Sequence, residues 1–373
     1  MTLVIGIMSG TSLDGVDAVL ASFPGSEGRA LDVRAHAYLP FGDALGAELL
    51  ALNAPGDNEL HRAALAANAL VTLYAGVVDD LFREAGVQRS EVRAIGVHGQ
   101  TLRHRPGQFD GVGYTLQLNA PALLAERGGI DVIADFRSRD VAAGGTGAPL
   151  VPAFHRAVFA RAGETIGVLN LGGIANLTVL HADGGTLGFD CGPANALLDH
   201  WIRQHQGRPY DAAGAWAASG RVHEPLLATL RQEPFFALPP PKSTGRDLFR
   251  AAWLEAALAA FGGAPPAAVD VQATLAELTV RTCAEDLRRH APDARRLLVC
   301  GGGAMNDHLM RRLAALLPDV RVERTDAHGL PANQVEASAF AWLALACLDG
   351  RPGNLPSVTG ARGPRILGAI YRA

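Results

Sequence analysis

The first stretch of the chain that could do chemistry lies between two apolar segments near the N-terminus. It reads Ser9-Gly10-Thr11-Ser12-Leu13-Asp14-Gly15, with small hydroxyls, two glycines and one aspartate. Two apolar segments joined by such a turn predict a β-hairpin. Backbone N–H groups in a tight glycine turn can point together into an anion site, because no Cβ blocks close approach. The same residue types also occur in turns that bind nothing, so this stretch alone leaves both interpretations open.

Two more glycine-rich turns follow along the chain. Residues 171–176 repeat the strand, turn, strand pattern, and Gly301-Gly302-Gly303 lies between a predicted strand and a predicted helix. Two such hairpins could hold a polyphosphate, and a glycine turn before a helix suits an adenosine or ribose. The chain contains no Walker A sequence, and the hairpins do not match the strand-turn-helix dinucleotide fingerprint. Taken in this order, the three turns predict a nucleotide site.

Length and composition describe an ordinary globular protein. The 373 residues exceed the size at which one core usually stops growing, so we expect two domains of roughly 150 to 200 residues. A hydrophobic fraction of 49% and a charged fraction of 19% supply ample core-forming material. A formal net charge of −4 gives no broad basic surface, which argues against nucleic acid as a partner and favours small molecules.

The cysteines and the apolar segments bear on the cellular compartment. Cys191, Cys283, Cys300 and Cys347 lie far apart and form no CxxC pair, which indicates buried free thiols rather than a zinc or redox site. The N-terminus lacks a basic region and a long apolar region, and no apolar run approaches the roughly 20 residues that span a bilayer. We therefore predict a soluble cytoplasmic protein with no membrane partner.

The secondary-structure pattern divides the chain into two similar halves. After the opening hairpin, residues 31–38 predict a strand, 57–85 a long helix and 94–97 a strand that ends before His98. The second half repeats the glycine-turn hairpin, followed by a helical region at 254–290 and a closing apolar helix, EASAFAWLALACLDG. Each half thus begins in the same way, which suggests a duplicated unit. The loop 137–152, rich in glycine and ending in proline, is the predicted crossing between domains.

These motifs resemble a known family. Their order is similar to that in the superfamily of sugar kinases, heat-shock chaperone ATPases and actin. The segments MSGTSLDGVD, HGQT, DFRSRDVAAGGTGAPLVP, NLGGIANLT, FDCGPAN and CGGGAMN resemble the anhydro-N-acetylmuramic acid kinases within it, over nearly the whole chain. The resemblance implies that ATP and water convert 1,6-anhydro-N-acetylmuramic acid, a fragment of recycled cell wall, into N-acetylmuramic acid 6-phosphate.

The resemblance also implies a fold and a domain division. We expect an α/β protein of two ribonuclease H-like lobes, the actin-like ATPase fold, around a central cleft for ATP and sugar. The N-terminal lobe would comprise residues 1–135 and 350–373 and carry the first phosphate hairpin. The C-terminal lobe would comprise residues 136–349 and carry the second hairpin and the adenosine turn. A homodimer fits the family.

The resemblance assigns the cofactors, ATP and Mg²⁺, to the glycine turns. The nucleotide-binding residues would be Gly10, Thr11, Ser12, Leu13, Asp14, Gly15, Val16, Asp17, Gly172, Gly173, Asn176, Gly301, Gly302 and Gly303. Asp14 would hold Mg²⁺ through waters, because magnesium keeps most of its hydration and takes one or two carboxylates plus substrate phosphates. The alternative is that Asp14 only forms an Asx-turn.

The catalytic assignment falls on Asp190 in GFDCGPAN, which matches the family's catalytic aspartate. It would activate the water that attacks the anomeric carbon, as one acid of an inverting glycosidase does. The alternative is a turn aspartate that caps a helix beginning near Pro193. The next residue, Cys191, stands where a small or hydroxyl residue is expected, and it is either a redox-sensitive thiol or an inert packed cysteine.

The sugar would contact His98, Gln100, Thr101, Arg137 and Glu336. Arg137 offers a fork that can bind the lactyl carboxylate bidentately, or it forms a structural pair with Asp135 or Asp140. Glu336 matches a family glutamate near the sugar, or is an exposed residue at a helix start. His98, Gln100 and Thr101 are expected in a strand-end loop typical of binding sites, although a lone histidine there is more often structural.

Two alternative functions remain open on the sequence alone. The same two lobes could form a nucleotide-gated binding module that presents a protein surface, or a kinase of another amino sugar. The short tail after the last helix leaves no room for a peptide-binding domain, which weighs against the binding module. Specificity among amino sugars lies in loop geometry that sequence patterns do not resolve.

Overall fold

The computed structural model describes residues 1–10, 13–25, 31–245, 248–261 and 266–373. In these ranges the strands are β1 (Thr2–Met8), β2 (Gly15–Phe23), β3 (Asp32–Pro40), β4 (Val92–Val97), β5 (Gln100–Pro106), β6 (Gly113–Leu118), β7 (Val132–Ala134), β8 (Ile166–Leu171), β9 (Ile174–Leu180), β10 (Thr186–Pro193), β11 (Arg296–Cys300), β12 (Arg321–Arg324) and β13 (Ala369–Tyr371). The helices are α1 (Asp43–Ala51), α2 (Glu59–Ala85), α3 (Pro121–Gly128), α4 (Ser138–Ala142), α5 (Val151–Phe159), α6 (Asn195–Gln206), α7 (Ala215–Ser219), α8 (Glu224–Leu230), α9 (Ala251–Ala260), α10 (Ala268–His290), α11 (Asp307–Leu316), α12 (Val335–Leu348) and α13 (Pro356–Thr359). Short 3-10 helices lie at Arg89–Glu91, Ala212–Gly214, Pro234–Ala237, Gly302–Met305, Thr325–His328 and Ala332–Gln334.

The chain forms two compact units. Unit 1 contains Met1–Val158 and Gln334–Ala373, and unit 2 contains Phe159–Asn333. This division differs from the predicted boundaries at 135/136 and 349/350. The loop expected to cross between domains instead forms α4 and the start of α5 within unit 1, and α12 belongs to unit 1 because it packs on β1 and β4.

Each unit contains a sheet with the same strand order. In unit 1 the order is β3-β2-β1-β4-β7, with β13 added at the edge, and in unit 2 it is β10-β9-β8-β11-β12. In both sheets the second strand of the hairpin is antiparallel to its two neighbours, and the remaining central pairings are parallel. This is the ribonuclease H-like arrangement, so the predicted α/β fold and the duplicated unit are both confirmed.

Long helices cover these sheets because their apolar residues recur at helical spacing. In α2 the buried residues include Leu70, Tyr74, Val77 and Leu81, which face β2 and β3. Of the helices in the described residues, α2 is the one whose length and composition would also allow it to cross a bilayer. From the sequence, no apolar run was expected to approach the length that spans a bilayer, and α2 differs from that expectation. Buried core helices of soluble proteins meet the same length and composition criterion. In unit 2, α10 is buried along most of its length against β9 and β10.

The approach of α12 to the unit 1 sheet requires glycine in two strands. A Cβ at Gly6 would lie 1.9 Å from the carbonyl oxygen of Ala337, and one at Gly96 would lie 2.2 Å from that of Phe340. Because neither the sheet nor the helix backbone can move that far without disrupting its neighbours, α12 sits at this depth only on a glycine surface.

Replacing Gly96 by alanine is expected to destabilise the protein. Overpacking a core costs about 1–3 kcal/mol, and here the added methyl meets backbone atoms rather than a flexible side chain. Gly46→Ala in α1 is the matched control, since its nearest neighbour is 4.0 Å from the new Cβ and helix propensity favours alanine by about 0.5–1 kcal/mol. Urea unfolding should show a lower midpoint for Gly96→Ala and an equal or higher one for Gly46→Ala. Equal stability of the Gly96 variant and the wild type would contradict this packing.

Candidate functional site

In unit 1 the candidate residues gather at one edge of the sheet. The central strands β1, β4 and β7 run parallel, so their carboxyl ends meet at the same edge. Ser9 and Gly10 follow β1, His98 follows β4, and Arg137 follows β7. Ligand sites of open α/β sheets lie outside such strand ends.

The first glycine turn is a compact hairpin connection. Leu13 donates from its N–H to the Gly10 carbonyl at 3.2 Å and adopts a positive φ of 58°. The exposed Asp14 accepts the Gly15 N–H on Oδ1 at 3.1 Å. An Asx-turn would instead bond the N–H two residues on, so this contact does not decide between the structural and the metal-binding interpretation. Thr11 and Ser12 lie outside the described residues.

The two hairpin residues beyond the turn belong to β2. Val16 is fully buried in the unit 1 core, so only its backbone could reach a nucleotide. Asp17 accepts a hydrogen bond from His36 Nε2 at 3.1 Å. Asp14 and Asp17 both face Tyr38, whose pKa is raised by burial and by these two carboxylates. The hairpin therefore presents a local concentration of negative charge.

His98 connects the first turn to Arg137. Its Nε2 accepts a hydrogen bond from Arg137 Nε at 3.0 Å, so the proton of the neutral ring lies on Nδ1, which is 3.4 Å from the Ser9 carbonyl oxygen. Burial, with a further contribution from the Arg137 guanidinium, lowers the pKa of His98 to about 3. The ring is therefore neutral near pH 7, and its hydrogen bonds support a structural role.

Gln100 and Thr101 begin β5 rather than lying in the predicted loop. Gln100 donates from Nε2 to the Gly10 carbonyl at 3.0 Å, which ties the first turn to β5. Its Oε1 is buried and accepts no hydrogen bond within the described ranges. Thr101 accepts a hydrogen bond on Oγ1 from Gln117 at 3.2 Å. Of the two, Gln100 is the better placed to bind a ligand.

Arg137 is held by a turn that a buried aspartate organises. Arg137 donates from Nη1 to the Gly147 carbonyl at 2.8 Å, and the Gly147 N–H donates to Asp140 Oδ2 at 2.8 Å. Asp140 Oδ1 also accepts from Asn354 at 2.6 Å and from Thr359 at 2.8 Å. Asp140 therefore fixes the loop beside Arg137, a role that sequence reasoning missed because its partners lie more than 200 residues away.

Glu336 lies in the first turn of α12, as predicted from the sequence, and is half-buried. Phe340 follows one turn later on the same helical face, and its ring centroid is 4.8 Å from that of His98. Glu336 therefore belongs to the same part of unit 1 as His98.

In unit 2 the candidate base lies on β10 in a row of polar side chains. Asp190 pairs with Asn176, and Asn176 pairs with Asn170 on β8. Directly paired residues point to the same face of a sheet, so the three lie side by side. Sequence reasoning missed Asn170, although a polar residue near the end of the buried strand IGVLNL was an available signal.

Three consecutive residues hold Asp190. Its N–H donates to the Lys242 carbonyl at 3.0 Å, and its Oδ2 accepts from Ser243 Oγ at 3.0 Å and from the Thr244 N–H at 2.8 Å. The buried carboxylate is thus held in one orientation by these donors. Helix α6 has Ala194 as its N-cap residue, so the interpretation of Asp190 as a helix cap has no support.

The second hairpin turn differs in one respect from the expected anion site. The carbonyls of Gly172 and Gly173 accept the N–H groups of Ala194, Asn195 and Ala196, so the hairpin supports the start of α6. A Cβ at Gly172 or Gly173 would have no atom closer than 3.5 Å. Nothing in the protein itself therefore excludes a side chain at these two positions. A ligand that lies against the backbone there would exclude one.

The third glycine turn shows a similar contrast. Gly301 has φ of +80°, and a Cβ there would lie 2.2 Å from Asn170 Oδ1, whereas one at Gly302 would meet nothing closer than 3.8 Å. Gly303 packs on Leu171. The turn leads into a 3-10 helix at Gly302–Met305, and α11 starts beyond it, capped by Asn306. The glycines therefore do not directly precede the α-helix, contrary to expectation.

Cys191 is an interior thiol. It is fully buried, and burial, followed by Cys283 and Asp286, raises the pKa of the thiol well above its ordinary value, while Lys242 opposes this shift. A thiol that stays protonated and excluded from solvent is a poor nucleophile. The geometry supports the inert packed cysteine.

Comparisons with known proteins agree over the whole chain. The family model described as Anhydro-N-acetylmuramic acid kinase matches residues 2–373. A protein of Variovorax paradoxus (strain S110) named Anhydro-N-acetylmuramic acid kinase is 63% identical over 376 residues, covering 100% of this chain and 99% of that protein. A protein of the same name from Cupriavidus pinatubonensis (strain JMP 134 / LMG 1197) is 60% identical over 368 residues, covering 98% of this chain and 97% of that protein.

The likeness to solved structures is more distant. The activator of the 2-hydroxyisocaproyl-CoA dehydratase from Clostridium difficile with bound ADPNP matches with a TM-score of 0.47 and 12% identity, covering 92% of this chain and 94% of that one. At this level the fold assignment rests on the strand order of each sheet. The full-length family match and relatives 60% and 63% identical show that this chain belongs to the anhydro-N-acetylmuramic acid kinase family and is an ATP-using kinase.

Proposed function

We propose that the chain uses ATP and water to open 1,6-anhydro-N-acetylmuramic acid and phosphorylate its O6, giving N-acetylmuramic acid 6-phosphate for cell-wall recycling. The full-length family match supports this reaction. The single structural observation that carries the mechanism is the buried Asp190 carboxylate, oriented by Ser243 and Thr244.

Asp190 is proposed as the general base. Two donors on Oδ2 favour the ionised carboxylate, which can take a proton from water. The oxygen of that water bonds to the anomeric carbon as the bond from this carbon to O6 breaks. The released O6 then attacks the γ-phosphorus of ATP, and ADP leaves. Asp190 finally releases to solvent the proton that it took from water.

The nucleotide is proposed to bind at the glycine turns. Gly172, Gly173 and Gly302 leave space that a Cβ would fill, which fits a ligand lying against the backbone. Asp14 suits a hydrated Mg²⁺, since it is an exposed carboxylate with Asp17 nearby and no cluster of three or more ligating side chains exists within the described residues. When bound, Mg²⁺ would neutralise phosphate charge, and Asp14 would hold it through water.

The sugar-binding proposal concerns unit 1. Arg137 would bind the lactyl carboxylate, and Gln100 Oε1 would accept from a sugar hydroxyl. The bonds of Arg137 to His98 and Gly147 fix the plane of its guanidinium, and a bidentate carboxylate contact depends on that plane. His98 and Thr101 would orient their neighbours, and Glu336 would accept from the sugar.

We also propose that the enzyme acts in the cytoplasm as a homodimer. All four cysteines lie in the described part of the chain and none of them forms a disulfide there, which fits a reducing compartment. The homodimer rests on the family resemblance, and sedimentation analysis would measure it.

Asp190→Asn is expected to abolish turnover without loss of binding. Removing a general base costs about 10²- to 10⁴-fold in rate, while the amide keeps the shape of the side chain. Asp183→Asn, at the opposite end of the β9–β10 hairpin, is the matched control and should turn over normally. ADP release with the anhydro sugar measures activity, and calorimetric titration measures binding. Full activity of Asp190→Asn would refute the base assignment, and ATP binding without turnover of any sugar by the wild type would favour a nucleotide-gated binding module.

Arg137→Lys is expected to raise KM for the anhydro sugar. Hydrogen bonds to a charged group are worth about 1.5–3 kcal/mol, and lysine cannot reproduce the fork, so KM should rise by about 10- to 150-fold. The control substrate is 1,6-anhydro-N-acetylglucosamine, which lacks the lactyl group. The variant should lose its preference for the lactyl sugar. Equal loss on both sugars would instead indicate that Arg137 acts only through His98 and Gly147.

Gly302→Ala is expected to weaken ATP binding without unfolding the protein. Its new methyl meets no protein atom within 3.4 Å, so the fold should tolerate it. If the methyl overlaps a bound nucleotide, we expect a cost like that of overpacking, about 1–3 kcal/mol. This cost corresponds to a rise in KM for ATP of about 5- to 150-fold. Gly301→Ala is the contrasting variant, because its methyl clashes with Asn170 and should lower the melting temperature. Unchanged KM for ATP in Gly302→Ala would exclude close contact at this turn.

A further inference from the structure

Lys242 is the only lysine in the 373-residue chain. Every other residue in the Lys+Arg total of 33 is therefore an arginine. At this one position the chain has a compact ammonium on an unbranched side chain, where its other long basic side chains carry the planar guanidinium of arginine.

This lysine is buried in unit 2. Its side chain is 2% exposed, and Nζ lies 3.3 Å from Oδ2 of Asp286, whose side chain is 5% exposed. The ammonium also lies 5.6 Å from the ring centroid of Phe189 and 5.1 Å from that of Phe235. Two apolar rings and one carboxylate leave a narrow site that suits a small cation.

The partner carboxylate lies on the most buried helix of the unit. Asp286 is part of α10, which packs on β9 and β10. Burial raises the pKa of Asp286, and Lys242 opposes that shift. Removing Asp286 would leave the buried ammonium of Lys242 without this ion pair. Asp286 has a second cation in Arg289, whose Nη1 lies 3.7 Å from Oδ1 and whose side chain is largely exposed.

The backbone of the same lysine contacts Asp190. Lys242 accepts the Asp190 N–H on its carbonyl, and the next two residues donate to the Asp190 carboxylate. The described part of this segment, residues 238–245, contains no helix or strand. The segment contacts α10 through Lys242, and Lys242 is directly followed by the two residues that orient the Asp190 carboxylate.

We propose that the buried Lys242–Asp286 ion pair is a positioning device that anchors Ser243 and Thr244 to α10 and so holds the Asp190 carboxylate in its reactive orientation. The inference rests on the proposed role of Asp190 as the general base. Both side chains are almost fully enclosed, at 2% and 5% exposure, so they would act on Asp190 through Ser243 and Thr244 rather than by contact with substrate.

The test compares two buried carboxylates on the same helix. Asp286→Asn removes the partner of Lys242, and Lys242→Met removes the ammonium while keeping an unbranched side chain. The matched control is Glu277→Gln, because Glu277 is 1% exposed on α10 and pairs with Arg281 and Arg312 instead of with Lys242. Each of the three variants removes one buried charge from an ion pair.

The readouts are kcat, the two KM values and the melting temperature. All three variants should melt at lower temperature than the wild type. Asp286→Asn and Lys242→Met should lose about tenfold or more in kcat with both KM values within about threefold, since misplacement by 1 Å can cost about 10²-fold. Glu277→Gln should keep kcat within about twofold of the wild type.

Other results would overturn the proposal. Normal kcat in Asp286→Asn and Lys242→Met would show that the pair serves stability alone, and an equal loss in Glu277→Gln would show general loosening of α10. If the single variants do not fold, Lys242→Met combined with Asp286→Leu replaces both charges by apolar groups, a change that buried pairs often tolerate. That double variant should fold with reduced kcat, and normal kcat would again refute the proposal.

Asp190→Asn assayed in parallel separates the two hypotheses. If it turns over like the wild type, the base assignment fails irrespective of Lys242. If it is inactive while Asp286→Asn and Lys242→Met are fully active, the base assignment stands and only the positioning role fails.

Discussion

Parallel pairing of the central strands is the constraint on which both candidate sites depend. Because β1 pairs in parallel with β4, and β8 with β11, the carboxyl ends of paired strands must lie at one edge of their sheet. The antiparallel second strand in each unit then requires a tight turn at that same edge. Glycine turns and strand-end polar residues are thereby collected together, although they come from distant parts of the sequence.

In unit 1 the collected residues form one connected network of hydrogen bonds. His98 and Gln100 bind the carbonyls of Ser9 and Gly10, and Arg137 binds His98. The network requires a neutral imidazole that donates on one side and accepts on the other, and burial maintains this form by lowering the pKa of His98. The residues expected to bind the sugar are thus coupled to the turn expected to bind phosphate, which explains how one histidine serves a structural role within a functional site.

The sequence predicted the parts of this architecture that local physics determines. The two glycine-turn hairpins and α2 followed from alternation, helical periodicity and turn residues, and the structure confirms them. The ribonuclease H-like fold was implied by the family resemblance instead, and the strand order of each sheet agrees with it. The unit boundaries did not follow, because α12 is apolar on nearly all sides and its pattern does not indicate which sheet it covers. The roles of Asp140 and Lys242 also did not follow, since they depend on partners that only the tertiary fold brings close.

In both units a buried charged side chain fixes the conformation of a loop beside the candidate site. A segment without helix or strand loses about 1–2 kcal/mol of backbone entropy per ordered residue, and it lacks the ladder of hydrogen bonds that would define its conformation. A buried charged side chain supplies that definition, because alternative conformations would leave it in the interior without its hydrogen-bond or ion-pair partners. In unit 1, Asp140 fixes the loop that contacts Arg137, and in unit 2, Lys242 fixes the loop that contacts Asp190. Arg137 and Asp190 have the most specific proposed chemistry, and each is oriented by a loop. In each case a second, buried charged side chain holds that loop in place.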